Sequence, residues 1–153
     1  MKIYLVRHAI AEERSPHVKD EDRALTKKGK RRGRRAFRGF AKIADPLRII
    51  SSPLVRARQT AKLLARALGH EGWEEDGDLA PGGDRQALLS RLEGSNDVAL
   101  VGHEPDLSLL AEVLAGRIEL AKAGAALIEG EPRPAGAHLL WLLTPLQLAR
   151  LAR

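Results

Sequence analysis

Lys2-Ile3-Tyr4-Leu5-Val6-Arg7-His8 is the stretch on which the fold turns. An apolar, β-branched run of this length, closed by charge, reads as a strand buried in a parallel sheet. In open α/β sheets ligands gather beyond the carboxyl ends of the strands, which is where Arg7 and His8 fall. The same grammar returns twice. Ile49-Ile50-Ser51-Ser52-Pro53-Leu54-Val55-Arg56 is a strand running into a helix, with Ser52 read as the N-cap and Pro53 as the first helical residue. Arg56 then lies in the first helical turn, beside amides that favour anions. Val98-Ala99-Leu100-Val101-Gly102-His103 is the third strand, and Glu104-Pro105 opens the next helix.

Working outward, the pattern predicts strands near 2–7, 47–51, 97–101, 124–129 and 137–143. Helices are predicted near 27–44, 53–68, 84–93, 105–115 and 145–152. This alternation predicts an α/β fold: a single three-layer domain over residues 1–153, with a mostly parallel sheet flanked by helices. Gly130, Pro132, Pro134 and Gly136 separate the last two strands and suggest a hairpin with an antiparallel edge. Residues 69–84 read as the longest irregular stretch and as part of a pocket rim.

Composition narrows the classes. The chain is 44% hydrophobic and 30% charged, as an ordinary globular domain is. It has no cysteine, which excludes disulfides and thiolate metal sites and fits a reducing cytosol. The N-terminal apolar run is too short for a signal peptide, and no stretch has bilayer-crossing length. The expectation is a cytoplasmic protein without a membrane partner.

The net charge of +6 is uneven, because Lys27, Lys28, Lys30, Arg31, Arg32, Arg34, Arg35 and Arg38 crowd one segment. Gly29, Gly33, Ala36, Phe37, Phe40 and Ala44 form a narrow apolar stripe at helical spacing, with Thr26 as N-cap. The basic residues fall on the other faces. They read as a solvated surface that steers anions rather than as a nucleic-acid partner site.

The Arg7-His8 strand end, the Ser52-Pro53-x-x-Arg56-Ala57-x-Gln59-Thr60 segment and the late Gly102-His103 resemble the histidine phosphatase superfamily, also called phosphoglycerate-mutase-like. Asp20-x-x-Arg23-x-Leu25-Thr26-x-x-Gly29 and Leu79-x-Pro81-x-Gly83-Asp84 are similar, more narrowly, to the SixA-type phosphohistidine phosphatases. One departure stands out: the signature usually reads Arg-His-Gly, and Ala9 replaces the glycine. A methyl group is tolerable there unless the backbone needs a positive φ.

The resemblance implies roles. His8 is the expected nucleophile, forming a phosphohistidine intermediate. That role needs a neutral ring whose second nitrogen donates to a backbone carbonyl. Arg7 and Arg56 are expected to fork onto phosphate oxygens, which lysine cannot do. His103 is expected to donate to a phosphoryl oxygen as an imidazolium. Arg23 falls near the pocket mouth or pairs with Asp20 or Glu21. Arg58 reads as structural, and His17, His70 and His138 as surface or packing residues. His8 and His103 lack a third ligand for a metal and are flanked by repelling arginines, so neither metal nor cofactor is expected.

Larger members of the superfamily protonate an alkoxide leaving group with a carboxylic acid. Here Ala80-Pro81-Gly82-Gly83 occupies the corresponding region, and none of Asp20, Asp78 or Asp84 stands out as a substitute. Imidazole, with an ordinary pKa of ~6.5, departs neutral if its other nitrogen already holds a proton, whereas an alkoxide needs general-acid help. The expected activity is therefore metal-independent hydrolysis of phosphohistidine in a partner protein. Two alternatives stay open: a small-molecule phosphomonoesterase or mutase, and a catalytically silent phosphoprotein- or nucleic-acid-binding module. Oligomeric state is not readable.

Overall fold

The computed structural model describes residues 1–153. The chain runs β1 (Lys2–Arg7), a 3-10 turn at Asp20–Asp22, α1 (Lys27–Ile43), β2 (Arg48–Ser51), α2 (Val55–Leu68) and β3 (Glu74–Glu75). A second 3-10 turn at Gly77–Leu79 follows, then α3 (Arg85–Leu92), β4 (Val98–Gly102), α4 (Asp106–Leu114), β5 (Ala125–Gly130), β6 (Ala137–Leu143) and α5 (Pro145–Leu151). All six strands join one sheet in the order β3-β2-β4-β1-β5-β6. The β3–β2, β2–β4 and β4–β1 pairings are parallel, while β1–β5 and β5–β6 are antiparallel. The mostly parallel α/β architecture and the closing hairpin match the reading from sequence.

Strand alternation produces the three layers. Tyr4, Val6, Ile49 and Val101 point to one face and pack with Phe37, Phe40, Leu64 and Leu148 from α1, α2 and α5. Ile3, Leu5, Ile50 and Leu100 point to the other face, against Leu88, Leu92, Leu107 and Leu110 from α3 and α4. Burial on both faces is why β1 and β4 read as unbroken apolar runs.

In α1, Thr26 caps the helix by accepting from the Gly29 amide at 2.9 Å. The expected stripe is buried, and Gly39 joins it. Two of its glycines mark backbone crossings. A Cβ on Gly29 would lie 2.1 Å from the Ile10 carbonyl oxygen, and one on Gly39 would lie 1.6 Å from that of Leu148 in α5. No larger residue fits without moving a chain segment.

Two expectations need correction. Helix α2 begins at Val55 with Leu54 as its N-cap, and Ser52 caps nothing. The Ser52 hydroxyl instead accepts from the Leu54 amide two residues on, at 3.3 Å, and meets His103. The same local hydrogen-bonding capacity that makes serine a good cap makes this serine turn. The second correction is that residues 69–84 are not wholly irregular, since β3 and the Gly77–Leu79 turn lie within them.

Candidate active site

The carboxyl ends of β1, β4 and the β2–α2 junction lie side by side and bound a pocket of about 360 Å³. Arg7, His8, Arg23, Arg56 and His103 all line it, so the cations and histidines that the sequence pointed to are brought together. His17, His70 and His138 lie elsewhere, and Arg58 sits exposed on α2, 3.9 Å from Glu75.

His8 follows directly from β1, and its amide donates to Gly102 O at 3.0 Å, which locks it beside β4. Its Nδ1 is 2.7 Å from the Ala9 carbonyl oxygen. A carbonyl only accepts, so the proton sits on Nδ1 and Nε2 keeps its lone pair. Burial pushes the ring's pKa down to about 4; the Ala9 carbonyl opposes that shift, and Arg56, Arg7 and Lys122 add to it. The ring is neutral at pH 7. Ala9 is buried and its φ is not positive, so the missing signature glycine demands nothing of the backbone.

Each arginine is held by its tip. Arg7 Nη1 donates to Leu120 O at 2.9 Å. Arg56 Nη1 donates to Asp20 O at 2.8 Å, and Nη2 to the Asp20 carboxylate at 3.2 Å. In both residues Nε is buried without a partner. Buried donors left unsatisfied are rare and unfavourable, and two of them in a cationic pocket suit an arriving oxyanion.

His103, at the end of β4, stacks 5.2 Å from His8 between ring centroids. Its Nε2 shares a hydrogen bond with Ser52 Oγ at 2.7 Å, and Nδ1 is buried and unpartnered. Burial, then His8 and Arg56, push its pKa down to about 3, so the ring is neutral. No third His, Cys, Asp or Glu joins these two rings in a metal-holding group.

Arg23 does both things that were foreseen for it. It lines the pocket, and its Nε donates to Asp20 at 2.9 Å while Nη1 donates to Glu12 O at 2.8 Å. Asp20 thus bridges Arg23 and Arg56. Although burial raises its pKa, Arg56 and then Arg23 outweigh that and hold it below the ordinary aspartate value. Asp78 is ion-paired to Arg91 at 2.6 Å, and Asp84 caps α3 through the Ala87 amide at 3.0 Å. Neither lines the pocket.

Several pocket residues were missed. Arg14, Glu104, Asp106 and Lys122 line the cavity, and Ser52 positions His103. Thr60 Oγ1 donates to Arg56 O at 2.8 Å and accepts the Ala9 amide at 3.0 Å, tying the arginine's turn to the His8 segment. Gln59 Oε1 accepts the Leu25 amide at 2.7 Å, tying in the Arg23 segment. The Gln59-Thr60 pair stood in the quoted motif, and its spacing one turn from Arg56 was the available signal.

Comparison with known proteins agrees. A family model of the histidine phosphatase superfamily (branch 1) matches residues 3–81. An uncharacterized protein of a Picosynechococcus species is 40% identical, over 81% of this chain and 82% of its own length. The solved structure of the protein histidine phosphatase SixA complexed with tungstate shares the fold with a TM-score of 0.85, at 22% identity over 97% of this chain and 99% of that one. A mycobacterial glucosyl-3-phosphoglycerate phosphatase shares it with a TM-score of 0.70, at 18% identity over 91% and 96% of the two chains. By the family match and the 40% identical relative, the chain belongs to the histidine phosphatase superfamily and is a phosphatase of it.

Proposed function

We propose that residues 1–153 act as one catalytic domain, a phosphohistidine phosphatase working through a covalent phosphoryl group on His8 Nε2. The observation that carries this reading is the Nδ1–Ala9 carbonyl bond, which leaves a neutral ring with Nε2 free beside two unpartnered guanidinium Nε groups. Arg7 and Arg56 take the equatorial phosphoryl oxygens, where charge must be neutralised in transfer. His103 offers its ring to the same group, and the arriving negative charge raises its pKa and favours a proton there.

In the first step the Nε2 lone pair attacks phosphorus and the substrate's P–N bond breaks. Its electrons stay on a substrate imidazole that leaves neutral, with its proton on the other nitrogen. Water then attacks the phosphorus on His8. The P–Nε2 bond breaks, Nε2 recovers its lone pair, and inorganic phosphate carries off the water oxygen with its protons.

Two of the pocket's carboxylates are committed to partners, which supports a leaving group that needs no acid. Asp20 is held charged by arginines. Glu104 accepts from the Ser108 amide and hydroxyl and from the Leu120 amide. A cytoplasmic place is part of the same reading; no helix is long and apolar enough to cross a membrane.

Rapid quench with labelled phosphohistidine protein in EDTA should trap an acid-labile, base-stable phosphoenzyme. His8→Ala should lose both it and turnover while keeping its fold by circular dichroism. Substantial turnover by that variant removes the nucleophile assignment.

A second reading, a small-molecule phosphomonoesterase, has one observation behind it. Asp106 lines the pocket, and only its Oδ1 is engaged, by the Gly82 amide at 3.2 Å and Arg85 at 3.7 Å. Phosphoimidazole and a simple alkyl phosphate should be compared on one preparation. Alkyl turnover equal to P–N turnover, lost by ~10²-fold or more in Asp106→Asn, would make Asp106 a general acid and establish the second reading.

A further inference from the structure

The basic segment of α1 has no part in the catalytic pocket, yet its arrangement is specific. Helix α1 contains no acidic residue, and none of its cations lies within ion-pair distance of a carboxylate. Lys30–Arg34, Arg31–Arg35 and Arg34–Arg38 are like-charge pairs one turn apart, each mildly destabilising. Arg34 and Arg38 line a groove of about 480 Å³ between α1 and α2, with Arg66 of α2 on the same groove and Leu63 and Ala67 as its apolar lining. No carboxylate lines it.

We propose that this groove is a docking site for an acidic amphipathic segment of a partner protein, separate from the phosphate pocket. The chemistry of the face selects among polyanions. Both aromatic residues of α1, Phe37 and Phe40, are fully buried, so no ring is available for the base stacking on which single-stranded nucleic acid sites rely. A membrane-surface helix would present large apolar side chains beside its cations. On α1 the exposed large hydrophobic residue is Ile43, at the helix's last position. The guanidinium forks beside an apolar lining suit a ligand whose carboxylates, spaced one helical turn apart, meet Arg34 and Arg38. An aliphatic side chain between them covers Leu63 and Ala67. Arginine at all three groove positions favours such paired, planar contacts over diffuse attraction.

The test separates the groove from net charge. One triple variant is Arg34→Glu with Arg38→Glu and Arg66→Glu; the other is Lys28→Glu with Arg32→Glu and Arg35→Glu, off the groove but equal in charge change. Turnover of p-nitrophenyl phosphate, unchanged in both, shows that they fold. Fluorescence anisotropy at ~0.15 M salt then measures binding of a labelled amphipathic peptide with Glu at i and i+4 and Leu between them. A composition-matched scrambled peptide and a single-stranded oligonucleotide serve as the other probes. The groove triple should weaken the amphipathic peptide by about tenfold, the scale of three exposed ion pairs, and the off-groove triple by less than about threefold. If the groove triple fails to fold, Arg→Gln at the same positions should give a smaller loss in the same direction. Equal losses in the two triples, equal binding of the scrambled peptide, or tighter binding of the oligonucleotide would each overturn the proposal.

Discussion

Arg56 shows how much one side chain is asked to do. One hydrogen on each terminal nitrogen goes to Asp20 and Nε has no partner, which leaves N–H donors for a substrate. Arg56→Lys keeps the charge but loses the fork, the Asp20 contacts and the Nε donor together. It should lower kcat/KM by about 10²–10³, the scale of one preorganised donor. Steady-state kinetics on phosphoimidazole checks this, and full activity would show that the guanidinium is not on the reaction path. The sequence made Arg56 conspicuous because a strand, a turn and a helix start flanked it. It did not reveal Asp20 as its partner, since that contact joins a 3-10 turn to a helix 36 residues away and no local pattern encodes it. Protonation was hidden for the same reason. That His103 is neutral depends on burial and on His8 and Arg56, all supplied by other elements.

Elements were more legible than their contacts. Long apolar runs and a capped, striped helix announce themselves through period and cap chemistry. By contrast, β3 is two glutamates paired to β2 at Ile50 and Ser51, and two residues carry no period at all. Ser52 was misread because capping and turning use the same hydroxyl geometry. The glycines of α1 give a ranked prediction. Gly39→Ala puts a methyl group against the Leu148 backbone of α5, which cannot rotate away. It should destabilise by ~2 kcal/mol or more despite the better helix propensity of alanine. Gly33→Ala meets Leu63 Cδ1 at 3.1 Å, the end of a side chain that can shift, and should cost less than ~1 kcal/mol. Urea unfolding of both variants checks the order. Reversal would mean that α5 is not held where the structure puts it.

At the scale of the whole molecule, the two buried histidines shape stability against pH. Both have folded pKa values below the ordinary 6.5, at about 4 for His8 and about 3 for His103. Between those values and 6.5 the unfolded chain binds more protons, so stability falls as pH drops. It is complete above pH 6.5 and loses on the order of 3 kcal/mol per histidine by pH 4. A Tm series from pH 7 to pH 4 should therefore slope down, and should slope less in His103→Asn; an unchanged slope there would contradict the burial assigned to that ring. The fold class was readable from alternation alone, but the strand order was not, because sequence names the strands without saying which lie together. That order has a consequence for how the protein comes into being. Strand β4 separates β2 from β1, yet it is the last of the three to be made. A chain emerging from the ribosome already carries Arg7, His8 and Arg56, with the Thr60 hydroxyl available to join the last two segments, but it lacks the strand that lies between β1 and β2. Residues 98–103 fill that gap and bring His103, and Leu120, which holds the tip of Arg7, is made later still, so the pocket is complete only when most of the chain exists.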